Sequence, residues 1–209
     1  MEFFNNMKLK WKLASGFALP LILLVIISST VNMSLTKLLE ISGWVNHTHE
    51  VIEKGNSITS SLVNMETGLR GFLIAGEEDF LEPYRSGKSQ FNELVSKLQE
   101  KVSDNPAQVE RLEQVSRLEG EWVSNHVEIA LELRREVNKG RARQSEVTDF
   151  IKKAIGKTYM DKMRGIIDKF IAEEDGLIGI RGAEQQATAD STSNITIIGT
   201  LIALILGAG

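Results

Sequence analysis

Charged residues vanish from two stretches of the chain and crowd the sequence between them. Residues 13–31 read LASGFALPLILLVIISSTV, 19 positions without a charge, and wound at ~1.5 Å per residue they rise ~28 Å, the depth of a bilayer core. Residues 195–209 read ITIIGTLIALILGAG, 15 uncharged positions rising only ~22 Å, which the pattern assigns to the truncated start of a second transmembrane helix. The 163 residues from 32 to 194 instead show the spacing of amphipathic helices. Phe80, Tyr84, Phe91, Leu94, Leu98 and Val102 form one stripe. Val109, Leu112, Val115, Leu118, Trp122, Ile129, Leu133 and Val137 form a second, and Met160, Met163, Ile167, Phe170 and Leu177 a third. Strict alternation over a strand's length is hard to find, so the chain reads as all-α.

Breakers divide this region into four helices. Gly76 closes the first, and Glu77, Glu78 and Asp79 place negative charge at the next N-terminus, where the helix dipole favours it. Pro83 falls in or near that helix's first turn. Asn105 is the expected N-cap of the third helix with Pro106 at its first position, and Gly140 ends it. From Gln144 a fourth helix runs toward the second span, with Gly156 as a candidate interruption. At ~1.5 Å per residue, helices over 32–75, 79–103, 106–139 and 141–194 measure ~66, ~38, ~51 and ~81 Å. These lengths close as an elongated antiparallel four-helix bundle continuous with two transmembrane helices. Its lowest ~28 Å contains only the first and last helices, and a parallel homodimer would cover the apolar stripes those two expose. In this arrangement residue i of the first helix lies beside residue 227 minus i of the last, within a turn. Gly71 then faces Gly156, and the absence of two Cβ atoms predicts the closest helix approach there.

Charge adds a direction. Lys8, Lys10 and Lys12 precede the first span, with Trp11 among them, so the positive-inside rule puts residues 1–12 in the cytoplasm, 13–31 across the membrane and 32–194 outside. A cleaved signal peptide fits less well, because the apolar stretch is long and Ser28-Ser29-Thr30 is a poor cleavage site. Residues 32–194 hold 21 of the 24 basic and 27 of the 28 acidic residues, a net of -6, which suits a solvated external domain. The overall net charge of -4 argues against nucleic acid as a partner. Without cysteine there is no disulfide framework, no thiolate zinc site and no thiol nucleophile.

The segment Glu66-Thr67-Gly68-Leu69-Arg70-Gly71-Phe72-Leu73, followed by Gly76, Phe80, Leu81, Pro83 and Tyr84, resembles the class-three CHASE sensor domain. So does the closing segment Met160-Asp161 to Arg164, Ile167, Phe170, Glu173, Glu174, Leu177 and Arg181. The resemblance implies an extracytoplasmic helical module of bacterial chemoreceptors, histidine kinases and cyclases. It therefore implies a multi-pass protein of the bacterial inner membrane with its sensor domain periplasmic or extracellular. The expected function is the sensory module of a methyl-accepting chemotaxis receptor. The alternatives are the sensor half of a histidine kinase or nucleotide cyclase, whose catalytic residues would follow residue 209, and a non-signalling envelope interaction protein.

Glu66 and Arg70 are an i, i+4 pair, and Asp161 and Arg164 fall at the same height on the last helix. Four charges of alternating sign there form either a clasp tying the two helices, the preferred reading, or an Arg70-lined pocket for an anionic ligand. Other candidates are weaker. His47 with Glu50 and His49 with Glu53 have ligand-compatible spacing but no third partner nearby. His126 sits on or beside the second stripe and reads as a hydrogen-bonded core histidine. Glu174, Arg181 and Glu184 continue the third stripe where apolar residues are expected, as polar contacts or as a sign that the stripe turns to solvent. Gln185-Gln186 looks superficially like a receptor methylation site, but it precedes the second span from outside. No phosphate loop, paired-histidine metal motif or nucleophile elbow occurs, so no catalytic residue, metal or cofactor is expected. The expected partners are a second copy of the chain, membrane lipid and an unidentified small-molecule or protein stimulus, with cytoplasmic kinase and coupling proteins acting through an output region beyond residue 209.

Overall fold

A computed structural model describes residues 9–208. The helices are α1 (Leu9–Ala75), α2 (Glu82–Lys101), α3 (Pro106–Trp122), α4 (Glu128–Asn138), α5 (Gln144–Lys152) and α6 (Ile155–Ala208). A 3-10 turn, Glu78–Leu81, precedes α2, and a π-helical turn, Val123–Val127, joins α3 to α4 without a break. Among the described residues there is no strand. Lys8 and Gly209, and the side chains of Trp11 and Lys12, lie outside the described residues.

Helix ends follow the expected chemistry. Gly76 adopts φ 78° and donates its N–H to the Phe72 carbonyl at 2.8 Å, closing α1, while Gly140 does the same service after α4 at φ 73°. The Asn105 side chain accepts from the Gln108 N–H, with Pro106 at the first helical position. The return leg breaks at Lys153–Ala154, two residues before the expected Gly156, with Ala154 held at φ 56°. A non-glycine residue in that region is strained by roughly 1–2 kcal/mol.

Thr48–Leu177 is one compact unit with four helical legs: the C-terminal part of α1, then α2, then α3 through α4, then α5 with the start of α6. Neighbouring legs run antiparallel. Glu50 pairs with Lys101 while Gly68 abuts Tyr84, and Arg111 pairs with Glu173 while Asn125 meets Tyr159. Between the first and last legs Gly55 packs on Ile171 and Glu66 bonds Arg164, within a turn of the expected level. Ile58, Leu62, Met65, Phe72, Phe91, Leu98, Leu112, Trp122, Met160, Met163 and Phe170 fill the centre, each essentially without exposure.

The second stripe departs from its prediction past Trp122. The π turn inserts a residue into the helical register, so Ile129 is exposed, and Val127, Ala130 and Arg134 face inward instead. The close approach of glycines also moves. Cβ atoms at Gly71 and Gly156 would meet the Phe80 and His126 rings respectively, so each glycine seats an aromatic ring rather than its counterpart. The tight backbone contact lies between α1 and α2. A Cβ on Gly87 would stand 2.7 Å from the Ser61 carbonyl oxygen, and one on Gly68 would stand 3.1 Å from the Tyr84 Cα, with the Tyr84 nitrogen nearer still.

Among the described residues, the other unit, Met1–His47 with Ile178–Gly209, is built from the N-terminal part of α1 and the C-terminal part of α6. Lys37 pairs with Glu184 at 2.9 Å, Arg181 donates to the Trp44 carbonyl at 3.1 Å with its guanidinium over the Trp44 ring, and Gly199 receives Ile27. Phe17, Leu21, Val25, Ile198, Leu201 and Ile205 are exposed, as lipid-facing side chains are. Both helices carry a stretch long and apolar enough to cross a membrane.

Candidate functional site

The charged motif of α1 reaches across to α6. Glu66, 14% exposed, accepts from Arg70 Nη2 at 2.7 Å through Oε1 and from Arg164 Nη2 at 2.8 Å through Oε2. Arg70 is 64% exposed and Arg164 34%, so the α6 partner is the more desolvated. Asp161 instead pairs with Lys157 on its own helix. The clasp is therefore Arg70–Glu66–Arg164, with Asp161 outside it.

Immediately beside the clasp is a cavity of about 190 Å³. Glu66, Leu69, Arg70 and Leu73 form its α1 wall, Trp122 and His126 close it from the third leg, and Ile151, Ala154, Gly156, Lys157 and Met160 complete it from the fourth. Two backbone irregularities meet here. The π turn holds His126 in the wall, and the α5–α6 break puts left-handed Ala154 opposite it. Gly156 exists at this place because the imidazole lies against it: a Cβ would stand 2.7 Å from His126 Cδ2. The other face of the imidazole stacks on Phe150 at 5.0 Å.

Two residues of this wall each carry a sealed polar atom without a partner. Trp122 Nε1 and His126 Nδ1 are buried and make no hydrogen bond, in residues only 1% and 8% exposed. The expected hydrogen-bonded core histidine is thus a buried histidine with an open nitrogen. Burial holds the His126 pKa below its ordinary value, keeping the ring neutral at neutral pH. One turn before Trp122, Glu119 is buried with Lys88 Nζ 4.0 Å away, and burial raises its pKa. Burial together with the Glu119 charge pushes Tyr84 up to about 12.

The remaining sequence candidates resolve into structure. Glu174 is buried and accepts from Gln108 Nε2 at 2.8 Å, and that amide also donates to the Phe170 carbonyl at 3.0 Å. The polar run on the third stripe is thus a set of interhelical contacts. His49 is exposed, His47 lies edge-on to Trp44 at 5.5 Å, and Glu50 is taken by Lys54 and Lys101. No cluster able to hold a metal ion occurs among the described residues. Sequence reasoning missed Lys157 and Ala154 as neighbours of the clasp, and missed the open nitrogens of Trp122 and His126.

The CHASE3 domain family model matches residues 41–184. No match was found among the curated proteins or among the solved structures. The match covers both resembling segments, all four legs and the clasp, so the chain belongs to the CHASE3 family, extracytoplasmic sensor domains found in chemotaxis receptors and histidine kinases.

Proposed function

We propose that the chain is the sensory module of a methyl-accepting chemotaxis receptor in the bacterial inner membrane, and that the Trp122–His126 cavity is where the stimulus acts. The observation that carries this is the continuity of α6. A single helix begins in the cavity wall and extends, unbroken, into the second apolar stretch. An occupant that fits one position of α6 better than another biases it by about 1–2 Å, the scale of helix shifts in signalling proteins. The chain itself performs no catalysis in this reading, and its partners are cytoplasmic kinase and coupling proteins reached through an output region. Exposed Met33, Leu35, Leu39 and Ile180 on the two-helix unit favour a homodimer that covers them. A histidine-kinase output is the second reading, favoured by the family's occurrence in those enzymes.

The test joins residues 1–209 to the signalling region of a chemoreceptor with measurable kinase output. Gly156→Leu, which displaces the His126 ring, is expected to shift basal output. Adding Glu184→Pro, which interrupts α6, is expected to abolish that shift. Output indifferent to both changes would refute the relay.

A further inference from the structure

The wall chemistry of the cavity specifies an occupant, and the inference that follows rests on the sensory reading of that site. Its charges do not cancel. The side chains in the wall and their ion-pair partners comprise three cations, Arg70, Lys157 and Arg164, against two carboxylates, Glu66 and Asp161. One positive charge is in excess, which suits a monoanion better than a cation or a dianion. Arg70 uses only Nη2 for Glu66 and is the exposed member of the clasp, so its remaining N–H groups are at the mouth.

The Trp122 and His126 rings close the inner wall. Trp122 Nε1 is an obligate donor and has no acceptor. His126 Nδ1 is likewise unpaired, in a ring that lines the same space. Both nitrogens have essentially no accessible surface, so neither is offered to an occupant. The rest of the wall is apolar, formed by Leu69, Leu73, Ile151 and Met160. The volume of about 190 Å³ equals roughly six waters at ~30 Å³ each, room for a molecule of a few carbons.

We propose that this cavity binds a small monocarboxylate with a compact apolar body, its carboxylate held by Arg70 at the mouth and its body lying against the apolar wall. Guanidinium recognises carboxylate through charge-assisted, directional hydrogen bonds, and the aliphatic wall rewards an apolar chain over a second charge.

The test uses the full chain in detergent micelles, with Trp11→Phe and Trp44→Phe leaving Trp122 as the sole indole. Butyrate and benzoate are titrated against the matched neutral amides and the dianion succinate, following the Trp122 indole N–H by NMR. The two carboxylates are expected to move that resonance saturably, at affinities at least about tenfold above those of the amides and succinate. Arg70→Gln is expected to weaken the carboxylates by about tenfold or more while leaving thermal stability and amide binding unchanged. No saturable shift up to ~10 mM, equal binding of amides, or undiminished binding in Arg70→Gln overturns the proposal. If binding fails while the hybrid receptor still responds to Gly156→Leu, the ligand class is wrong and the relay stands. If binding holds while that hybrid is silent, the relay is wrong.

Discussion

Gly87→Ala should destabilise the four-leg unit, although the same substitution in an unobstructed helix stabilises. The added Cβ would lie 2.7 Å from the Ser61 carbonyl oxygen and 3.1 Å from the Met65 nitrogen, where ordinary contact begins near 3.4 Å. Both obstacles are backbone, so no rotamer change relieves them, and α2 must retreat from α1 by about 0.7 Å at that level. A gap of ~0.5–1 Å forfeits a quarter to a half of each dispersion contact it opens, and Tyr84, Phe91 and Val95 pack along the same face. Overpacking of this kind costs about 3 kcal/mol, and the better helix propensity of Ala offsets about 1. The net loss of about 2 kcal/mol lowers Tm by ~4–8 °C at this chain size. Gly120→Ala is the control. No atom lies within 4 Å of its Cβ position, so the propensity gain stands alone, worth up to about 1 kcal/mol or ~2–4 °C upward. Thermal unfolding of the full chain in micelles, followed by far-UV circular dichroism and tryptophan fluorescence, reads both. Equal shifts of one sign in the two variants would refute the backbone-contact account.

Further outcomes follow from the site. Breaking the clasp with Glu66→Ala should cost about 2–3 kcal/mol, since the carboxylate is nearly buried; a double-mutant cycle should assign ~1–2 kcal/mol to coupling with Arg164 and under ~0.5 to Arg70, and equal couplings would contradict the assigned geometry. Glu119 has a raised pKa in the folded chain, so its contribution to stability is complete below its ordinary 4.5 and is lost as pH rises through the folded value; Glu119→Gln should therefore raise Tm at neutral pH, with the gain vanishing below about 4.5. His126 behaves oppositely: its folded pKa is lowered, so its stabilisation is present above 6.5 and is lost as pH falls through the folded value, and the Tm advantage of the parent chain over His126→Leu should shrink on acidification from that point. A difference that stays flat with pH in either variant would remove that group from the linkage.

Local chemistry was legible in the sequence wherever a residue acts on its own segment. Asn105 and Pro106 begin α3, and Gly76 and Gly140 end helices, because capping and φ > 0 are decided within a turn. The pairing of Glu66 with the last helix was legible from helix lengths alone, to within the three residues that separate Asp161 from Arg164. What was not legible depends on distant partners or on register. A π turn has no residue signature, so nothing in Val123–Val127 announces that Ile129 will turn outward and Arg134 inward. Glycine content says that a helix can be approached closely but not by what. Gly68 and Gly87 admit backbone, whereas Gly71 and Gly156 admit rings. Glu174 looked misplaced on an apolar stripe because its partner, Gln108, is 66 residues away. The cavity needed three legs to assemble, and its open nitrogens became visible only once the surrounding bonds were counted.

The central proposal is that α1 and α6 both cross the membrane and that the four-leg unit stands outside it. Because the chain has no cysteine, a single introduced thiol reports its own location. Lys97→Cys, on the exposed face of α2, should react with a membrane-impermeant maleimide on intact cells, while Lys10→Cys should react only after the membrane is opened. The reverse pattern, with Lys97→Cys protected until lysis, would contradict the account.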